Sequence, residues 1–256
     1  KILMSVLLEI NDLYKNFSGI EVIRGFNLSL NEKTLSCLVG PNGAGKTTTI
    51  DLITGRLAPT SGTISFKTND EFEIKRDITG LNESQIAHMG ISRKFQVPAV
   101  FKELTVRQNL EVAFSNEVSP FKNMINFSST DLNMRLEEVL ELTGLGGRLE
   151  IVAGTLSHGE TQWLEIGMVL MKKPRLILFD EPVAGMTEGE IGKTVQMLNE
   201  LKKTITLMVV EHDMGFVRDI ADIVTVMHMG TLLAQGSIKK IEKDKAVREV
   251  YLGTED

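Results

Sequence analysis

The stretch GPNGAGKTT, Gly40 to Thr48, follows the apolar run Leu35-Ser36-Cys37-Leu38-Val39 and constrains the chain more than any other feature. Gly40-x-x-x-x-Gly45-Lys46-Thr47 has the spacing of a phosphate-binding loop between a buried strand and a helix. Glycines let backbone N–H groups converge on phosphate oxygens, and the helix turns its positive N-terminus to the same charge. Gly40, Pro41, Asn42, Gly43, Ala44, Gly45, Lys46, Thr47 and Thr48 are the candidate ATP-binding residues. Lys46 would reach the β and γ phosphates, and the Thr47 hydroxyl would coordinate Mg²⁺.

A nucleotide site of this kind needs an α/β scaffold, and the apolar patterns supply one. VLLEINDL, FNLSL, LSCLVG and ISFKT read as short strands before residue 70, interrupted by a helix from near Lys46. From about Thr105 to Met171 the period becomes helical, in LTVRQNLEVAF, DLNMRLEEVLELTGL and GETQWLEIGMVLM. Strand patterns return in RLILFD, TITLMVV and IVTVMHMG, with helices near residues 189–203 and 214–221. Such Ile-, Leu- and Val-rich strands imply a mostly parallel sheet covered on both faces. The expected organisation is one domain over 5–256, with a catalytic part at about 5–98 and 173–256 and a helical insertion at about 99–172. SNEVSPFKNMINFSST reads as a long loop inside that insertion, and the C-terminal IKKIEKDKAVREVYLG as a solvated amphipathic helix. Residues 1–4 read as an expression remnant or as a native start at Met4.

Two further stretches carry chemistry. RLILFDEP ends an apolar strand in two carboxylates: Asp180 is placed to hold Mg²⁺ and Glu181 to act as general base toward water. In LSHGE, Ser157-x-x-Glu160 is a capping box for the helix that follows, which explains both residues structurally. A helix start with Ser157, His158 and Gly159 is equally an anion site.

These motifs, in this order, resemble the ATP-binding subunits of ABC transporters, whose signature is a Leu-Ser-Gly-Gly-Gln motif shortly before the acidic strand. The resemblance runs from about Leu8 to Ala234 and implies the ABC-type fold of the P-loop NTPases: a mostly parallel core, an N-terminal antiparallel β subdomain and an inserted helical subdomain. By position, Phe17 is similar to the aromatic residue that stacks on adenine, and Gln96 to the glutamine joining the metal site to the helical subdomain. His212 is similar to the switch histidine at the γ phosphate. Each has a plain alternative: core for Phe17, surface loop for Gln96, strand-end cap for His212. The family implies ATP and Mg²⁺ as cofactors and Lys46, Glu181 and His212 as catalytic residues, with Thr47, Gln96 and Asp180 at the metal. It also implies a second, unlike ATPase, two membrane permease subunits and an extracytoplasmic solute-binding protein, with this chain peripheral on the cytoplasmic face of the inner membrane.

His158 and Glu160 depart from the signature's first glycine and its glutamine, and Thr187 stands where many members have aspartate. The contact to a partner's ATP is then expected from Ser157, Gly159 and nearby N–H groups, with one further hydrogen bond from a neutral His158. LSHGETQWLEIGM and DEPVAGMTEGE, with DLITGRLAPTSG and ISRKFQVPAVF, resemble the urea-type members of the branched-chain amino-acid transporter group. Urea is the expected solute and branched-chain amino acids the alternative.

Composition weighs against competing classes. With 28 Lys and Arg against 34 Asp and Glu the net charge is −6, and no basic stripe offers a footprint for nucleic acid. That disfavours a DNA-repair or translation ATPase, as does the lack of a coiled coil. A small-molecule kinase would not need LSHGE and should carry an arginine-rich lid. A regulatory module without turnover would not need Glu181. The single Cys37 suits a reducing compartment, and no run approaches 18 apolar residues.

Overall fold

The computed structural model describes residues 5–68, 74–94, 100–114 and 129–252. They form two compact units, one built from residues up to Arg93, Arg175–Glu181 and the chain beyond Lys202, the other from Lys94–Pro174 and Pro182–Leu201.

The first unit holds both sheets. Strands β1 (Val6–Phe17) and β2 (Ile20–Asn31) form an antiparallel hairpin about Ser18-Gly19, where φ is 47° and 93°. Positive φ at both central turn residues matches the twist of the flanking strands. Both strands run well beyond the apolar stretches that announced them. Register shifts between Ile10 and Leu13 and again beyond Leu13 break the period-two alternation by which a strand's full length is read. The apolar face of the hairpin, with Leu8, Ile10, Leu13, Phe26 and Leu30 fully buried, packs into one core with Ile64 and Phe66. Each such side chain contributes about 1.5–3 kcal/mol. Strands β3 (Leu35–Val39), β4 (Ser61–Lys67) and β5 (Lys75–Asp77) follow, with helix α1 (Lys46–Ile53) between β3 and β4. β4 and β5 complete the antiparallel sheet in the order β2-β1-β4-β5.

The second sheet takes β3, β6 (Ile91–Lys94), β7 (Leu176–Asp180), β8 (Thr206–Val210), β9 (Ile223–His228) and β10 (Thr231–Gly236), in the order β10-β9-β3-β8-β7-β6. β9, β3, β8 and β7 are mutually parallel, and β10 turns back antiparallel to β9. Every residue of β3, β7 and β8 is buried, as their continuous apolar runs require. Helix α2 (Glu83–His88) precedes β6 and carries an unforeseen capping box of Asn82 with Gln85.

The second unit contains α3 (Val106–Phe114), α4 (Ser129–Thr143), α5 (His158–Met171) and α6 (Glu188–Leu201). A Cβ on Gly167 of α5 would lie 3.1 Å from Leu110 of α3 and 3.2 Å from Val139 of α4, so the small residue admits both neighbours. The buried Trp163 of α5 donates from Nε1 to Thr194 Oγ1 of α6 at 3.0 Å. Residues 182–201, expected with the catalytic part, group with the helical unit, to which this bond and those of Glu190 with Ser157 and Gly159 also tie them. Back in the first unit come α7 (Met214–Ile220) and then α8 (Ile238–Ile241) and α9 (Lys245–Leu252). The single terminal helix expected is thus two short ones, divided where Asp244 caps the second by accepting from Val247 N–H at 3.3 Å. Residues 1–4, Gln96 and residues 115–128 of the expected loop lie outside the described residues.

Candidate functional site

The chain leaves β3 at Val39 and turns at once into the glycine loop. A Cβ on Gly40 would lie 2.2 Å from the Met227 carbonyl oxygen of β9, so nothing larger fits there. Gly45 is the N-cap of α1 with φ 105°, and its Cβ would meet Ile23 Cδ1 at 2.7 Å. Being glycine, it offers no side-chain cap, which leaves the first-turn N–H groups of α1 to a ligand. At the crest nothing lies within 4 Å of a Cβ on Gly43. The Lys46 ammonium curls back over the loop, donating to the carbonyls of Gly40 at 2.7 Å and Pro41 at 3.0 Å. Burial pushes its pKa below the usual lysine range, and the carboxylates of Glu181 and Asp180 partly offset that. Asn42 and Thr47 are exposed, Thr48 is half-buried and Ala44 is buried.

Sheet register brings the acidic residues to the same edge. Asp180 at the end of β7 pairs with Val210 of β8, and Val210 pairs with Leu38 of β3, so three strand ends open side by side. The Asp180 side chain is 2% exposed and accepts from Arg93 Nη2 at 3.2 Å, while Arg93 Nη1 donates to Asp51 of α1. Burial raises the Asp180 pKa, and the Arg93 guanidinium opposes that rise. Glu181 sits at φ 49°, a conformation that costs a non-glycine residue roughly 1 kcal/mol or more. Its N–H donates to the Val210 carbonyl at 3.0 Å, which fixes the turn, and its Oε1 lies 3.4 Å from His212 Nδ1. His212 follows β8 with its ring largely exposed. The buried Glu211 accepts from His212 N–H at 3.2 Å, and its pKa is raised, mainly by burial.

This donor set fits Mg-nucleotide. The loop offers N–H groups and one lysine to phosphate, the exposed Thr47 at the start of α1 offers a hydroxyl, and the end of β7 offers one buried carboxylate. Among the described residues no group of three or more His, Cys, Asp or Glu could hold a metal. Mg²⁺ is commonly held by one or two carboxylates completed by phosphate oxygens and water, and Asp180 and Thr47 are suited to that share. Phe17, at the end of β1, has its ring exposed with Lys15 Nζ 4.9 Å from the centroid. It pairs with Ile20, two residues along β2 from Val22, whose carbonyl borders Gly45.

In the helical unit, Ser157 Oγ accepts from Glu160 N–H at 3.1 Å and Glu160 Oε2 accepts from Ser157 N–H at 3.0 Å, closing the capping box. Sequence reading missed the residue at its centre. Glu190 of α6 accepts from Ser157 Oγ at 3.0 Å, Gly159 N–H at 3.1 Å, Thr187 N–H at 3.0 Å and Thr187 Oγ1 at 2.9 Å. These donors, those of Thr187 first, hold its pKa below the carboxylate norm. Thr187-x-x-Glu190 is itself a capping-box spacing, which was the available signal. A Cβ on Gly159 would fall 2.4 Å from Glu190 Oε1, so this position must be glycine for the carboxylate to reach the helix start. His158 points its Nε2 at the Ala184 carbonyl, 3.1 Å away, a bond inside its own chain that was not expected of it. Arg93 was missed as well, because its partners Asp51 and Asp180 are far away in sequence, and so was Glu211, whose burial is set by the fold.

Known proteins resemble this chain over almost its whole length. The ABC transporter family model matches residues 23–184. The chain is 33% identical to the high-affinity branched-chain amino acid transport ATP-binding protein LivG of Escherichia coli K12, covering 96% of this chain and 98% of that one. It is 34% identical to BraF, the corresponding protein of Pseudomonas aeruginosa, with coverage of 96% and 98%. Among solved structures, the ADP conformation of an ATP-binding cassette of an ABC transporter superposes with a TM-score of 0.83 at 32% identity, covering 97% of this chain and 99% of the other.

Proposed function

The chain belongs to the ABC transporter family as an ATPase using ATP and Mg²⁺, and from that premise we propose that it powers the import of branched-chain amino acids. The observation that carries the mechanism is the convergence of Lys46, Asp180, Glu181 and His212 on the neighbouring ends of β3, β7 and β8. Lys46, released from its loop carbonyls, would bind the β and γ phosphates together with the N–H groups of Gly43 to Thr48. Thr47 and Asp180 would hold Mg²⁺, with Gln96 added by family resemblance. Bound there, the metal supplies charge neutralisation and orientation of phosphate oxygens. Glu181 would accept the proton of the attacking water, and its strained turn keeps the carboxylate at the strand end. His212, already beside Glu181, would steady that carboxylate through Nδ1 and meet the charge on the transferred group. Phe17 would stack on adenine.

ABC ATPases work in transporter complexes with membrane permease subunits. None of the described helices is long and apolar enough to cross a membrane, and we place the chain peripherally on the cytoplasmic face. A second, unlike ATPase would complete the site: Ser157, His158 and Gly159 of one chain would face the nucleotide of the other. An extracytoplasmic binding protein would deliver the solute. Ser157 Oγ–H and Gly159 N–H both donate to Glu190 in the isolated chain, so they would have to leave that carboxylate to reach a nucleotide.

The relatives' names favour branched-chain amino acids over urea. That support extends over 96% of the chain, whereas the urea expectation rested on four short stretches. No residue of this subunit is expected to touch the solute, so the test is made in cells. Deleting the gene should abolish uptake of labelled leucine at micromolar supply and leave urea uptake unchanged. The reverse pattern overturns the substrate, and two unchanged uptakes overturn the importer assignment.

A further inference from the structure

We propose that Arg93 is a positioning residue for magnesium: it holds the Asp180 carboxylate in register with the helix that carries the phosphate loop. The inference rests on the reading of Asp180 as a metal-holding residue. Arg93, on β6, is 6% exposed at its side chain and lies between two acids from different elements. Nη1 donates to Asp51 of α1, five residues past Lys46, and Nη2 donates to Asp180 Oδ2 of β7 at 3.2 Å. The guanidinium is planar and rigid, so one side chain fixes two carboxylates at a set separation.

Stability alone does not account for this triad. Buried ion pairs cost desolvation that their attraction often fails to recover, and an apolar side chain of similar volume commonly does as well. Among the described residues the buried Arg93 Nε has no hydrogen-bond partner. The orientation thus serves the two acids at the expense of the third donor. What the arrangement does achieve is to tie α1, which starts at the loop lysine, to the end of β7. With Oδ2 engaged by Arg93, Asp180 keeps Oδ1 for a metal ion or its water. Arg56 lies 3.9 Å from Asp51 on the exposed side and gives that carboxylate a second cation, so Asp51 can anchor Arg93 without drawing it away from Asp180. A lysine at position 93 would have to meet both acids through a single nitrogen, without the fixed spacing of the guanidinium.

The experiment compares the purified chain with Arg93→Met, Arg93→Lys and Asp180→Asn. Affinity for a fluorescent ATP analogue is titrated in EDTA and at rising Mg²⁺, and Mn²⁺ bound in the presence of nucleotide is counted by electron paramagnetic resonance. Arg93→Met should bind the analogue in EDTA as the wild type does. Its half-saturating Mg²⁺, and its Mn²⁺ dissociation constant, should rise roughly tenfold or more, the usual cost of losing a partner that orients a metal ligand. ATPase turnover at saturating Mg²⁺ should largely recover, and Arg93→Lys should fall between. Unchanged metal dependence in Arg93→Met, or equal weakening of nucleotide binding in EDTA, overturns the proposal. If Arg93→Met does not fold, Arg93→Lys with wild-type metal dependence overturns it as well. Asp180→Asn separates the two levels. If it leaves metal dependence intact, the metal role of Asp180 fails; if it shifts metal dependence while Arg93→Met does not, only the role of Arg93 fails.

Discussion

Replacing Thr194 by Val tests how the helix carrying the Ser157 motif is anchored. Thr194 is fully buried and Trp163 is 7% exposed, and the bond from indole Nε1 to Thr194 Oγ1 at 3.0 Å joins α5 to α6. Valine keeps the shape and removes the acceptor. The indole N–H is then buried without a partner, which costs about 1–3 kcal/mol. A chain of this length loses about 2–4 °C of Tm per kcal/mol, so thermal unfolding should begin about 2–12 °C lower. The same change made in a Trp163→Phe background should cost under about 0.5 kcal/mol, because no indole remains to be stranded. Differential scanning calorimetry of the four proteins of this cycle gives the coupling. Equal cost of Thr194→Val in both backgrounds would refute the anchoring role of this bond. ATP binding should be unaffected, since the loop that performs it belongs to the other unit.

Lys46→Ala should weaken ATP binding at least tenfold by removing the cation over the phosphates, and a direct titration showing undiminished affinity would count against the loop assignment. Glu211→Gln should stabilise the protein at neutral pH. Burial raises the Glu211 pKa in the folded state, so the folded chain holds that proton to higher pH than the unfolded chain does. Stability is therefore lost as pH climbs through the ordinary carboxylate range, and the loss levels off above the raised value. The gain in Tm from Glu211→Gln should accordingly be larger at pH 7 than at pH 4; an equal gain at both would contradict the burial penalty.

The parts of the site that could be read from the chain are those whose chemistry is contiguous. Gly40 to Thr48, Asp180-Glu181 and Ser157-x-x-Glu160 each carry their spacing within a few residues, and the structure brings the first two to the ends of β3 and β7, on either side of β8. Strand existence was legible where burial is complete, as in β3, β7 and β8. The lengths of β1 and β2 were not, because bulges near Leu13 shift the alternation. α2 escaped notice although Asn82-x-x-Gln85 is a capping box, since its six residues hold one buried side chain, Ile86. The grouping of residues 182–201 with the helical unit was not legible, because contacts such as that of Trp163 with Thr194, 31 positions apart, form only on folding. Arg93 was invisible for the same reason: its partners, 42 and 87 residues away, are assembled only by folding. The Thr187-x-x-Glu190 spacing was legible, but the bonds of Glu190 to Gly159 and Ser157, 31 and 33 residues away, were not.

The central claim is that Glu181 activates water for ATP hydrolysis at the end of β7, and Glu181→Gln tests it most directly. The amide preserves size and the contact distance to His212 but cannot take a proton. With ATP affinity measured by titration and phosphate release by a steady-state assay, the account predicts unchanged binding and turnover lowered about a hundredfold or more, the usual contribution of a positioned base. Hydrolysis by Glu181→Gln at the wild-type rate would contradict it.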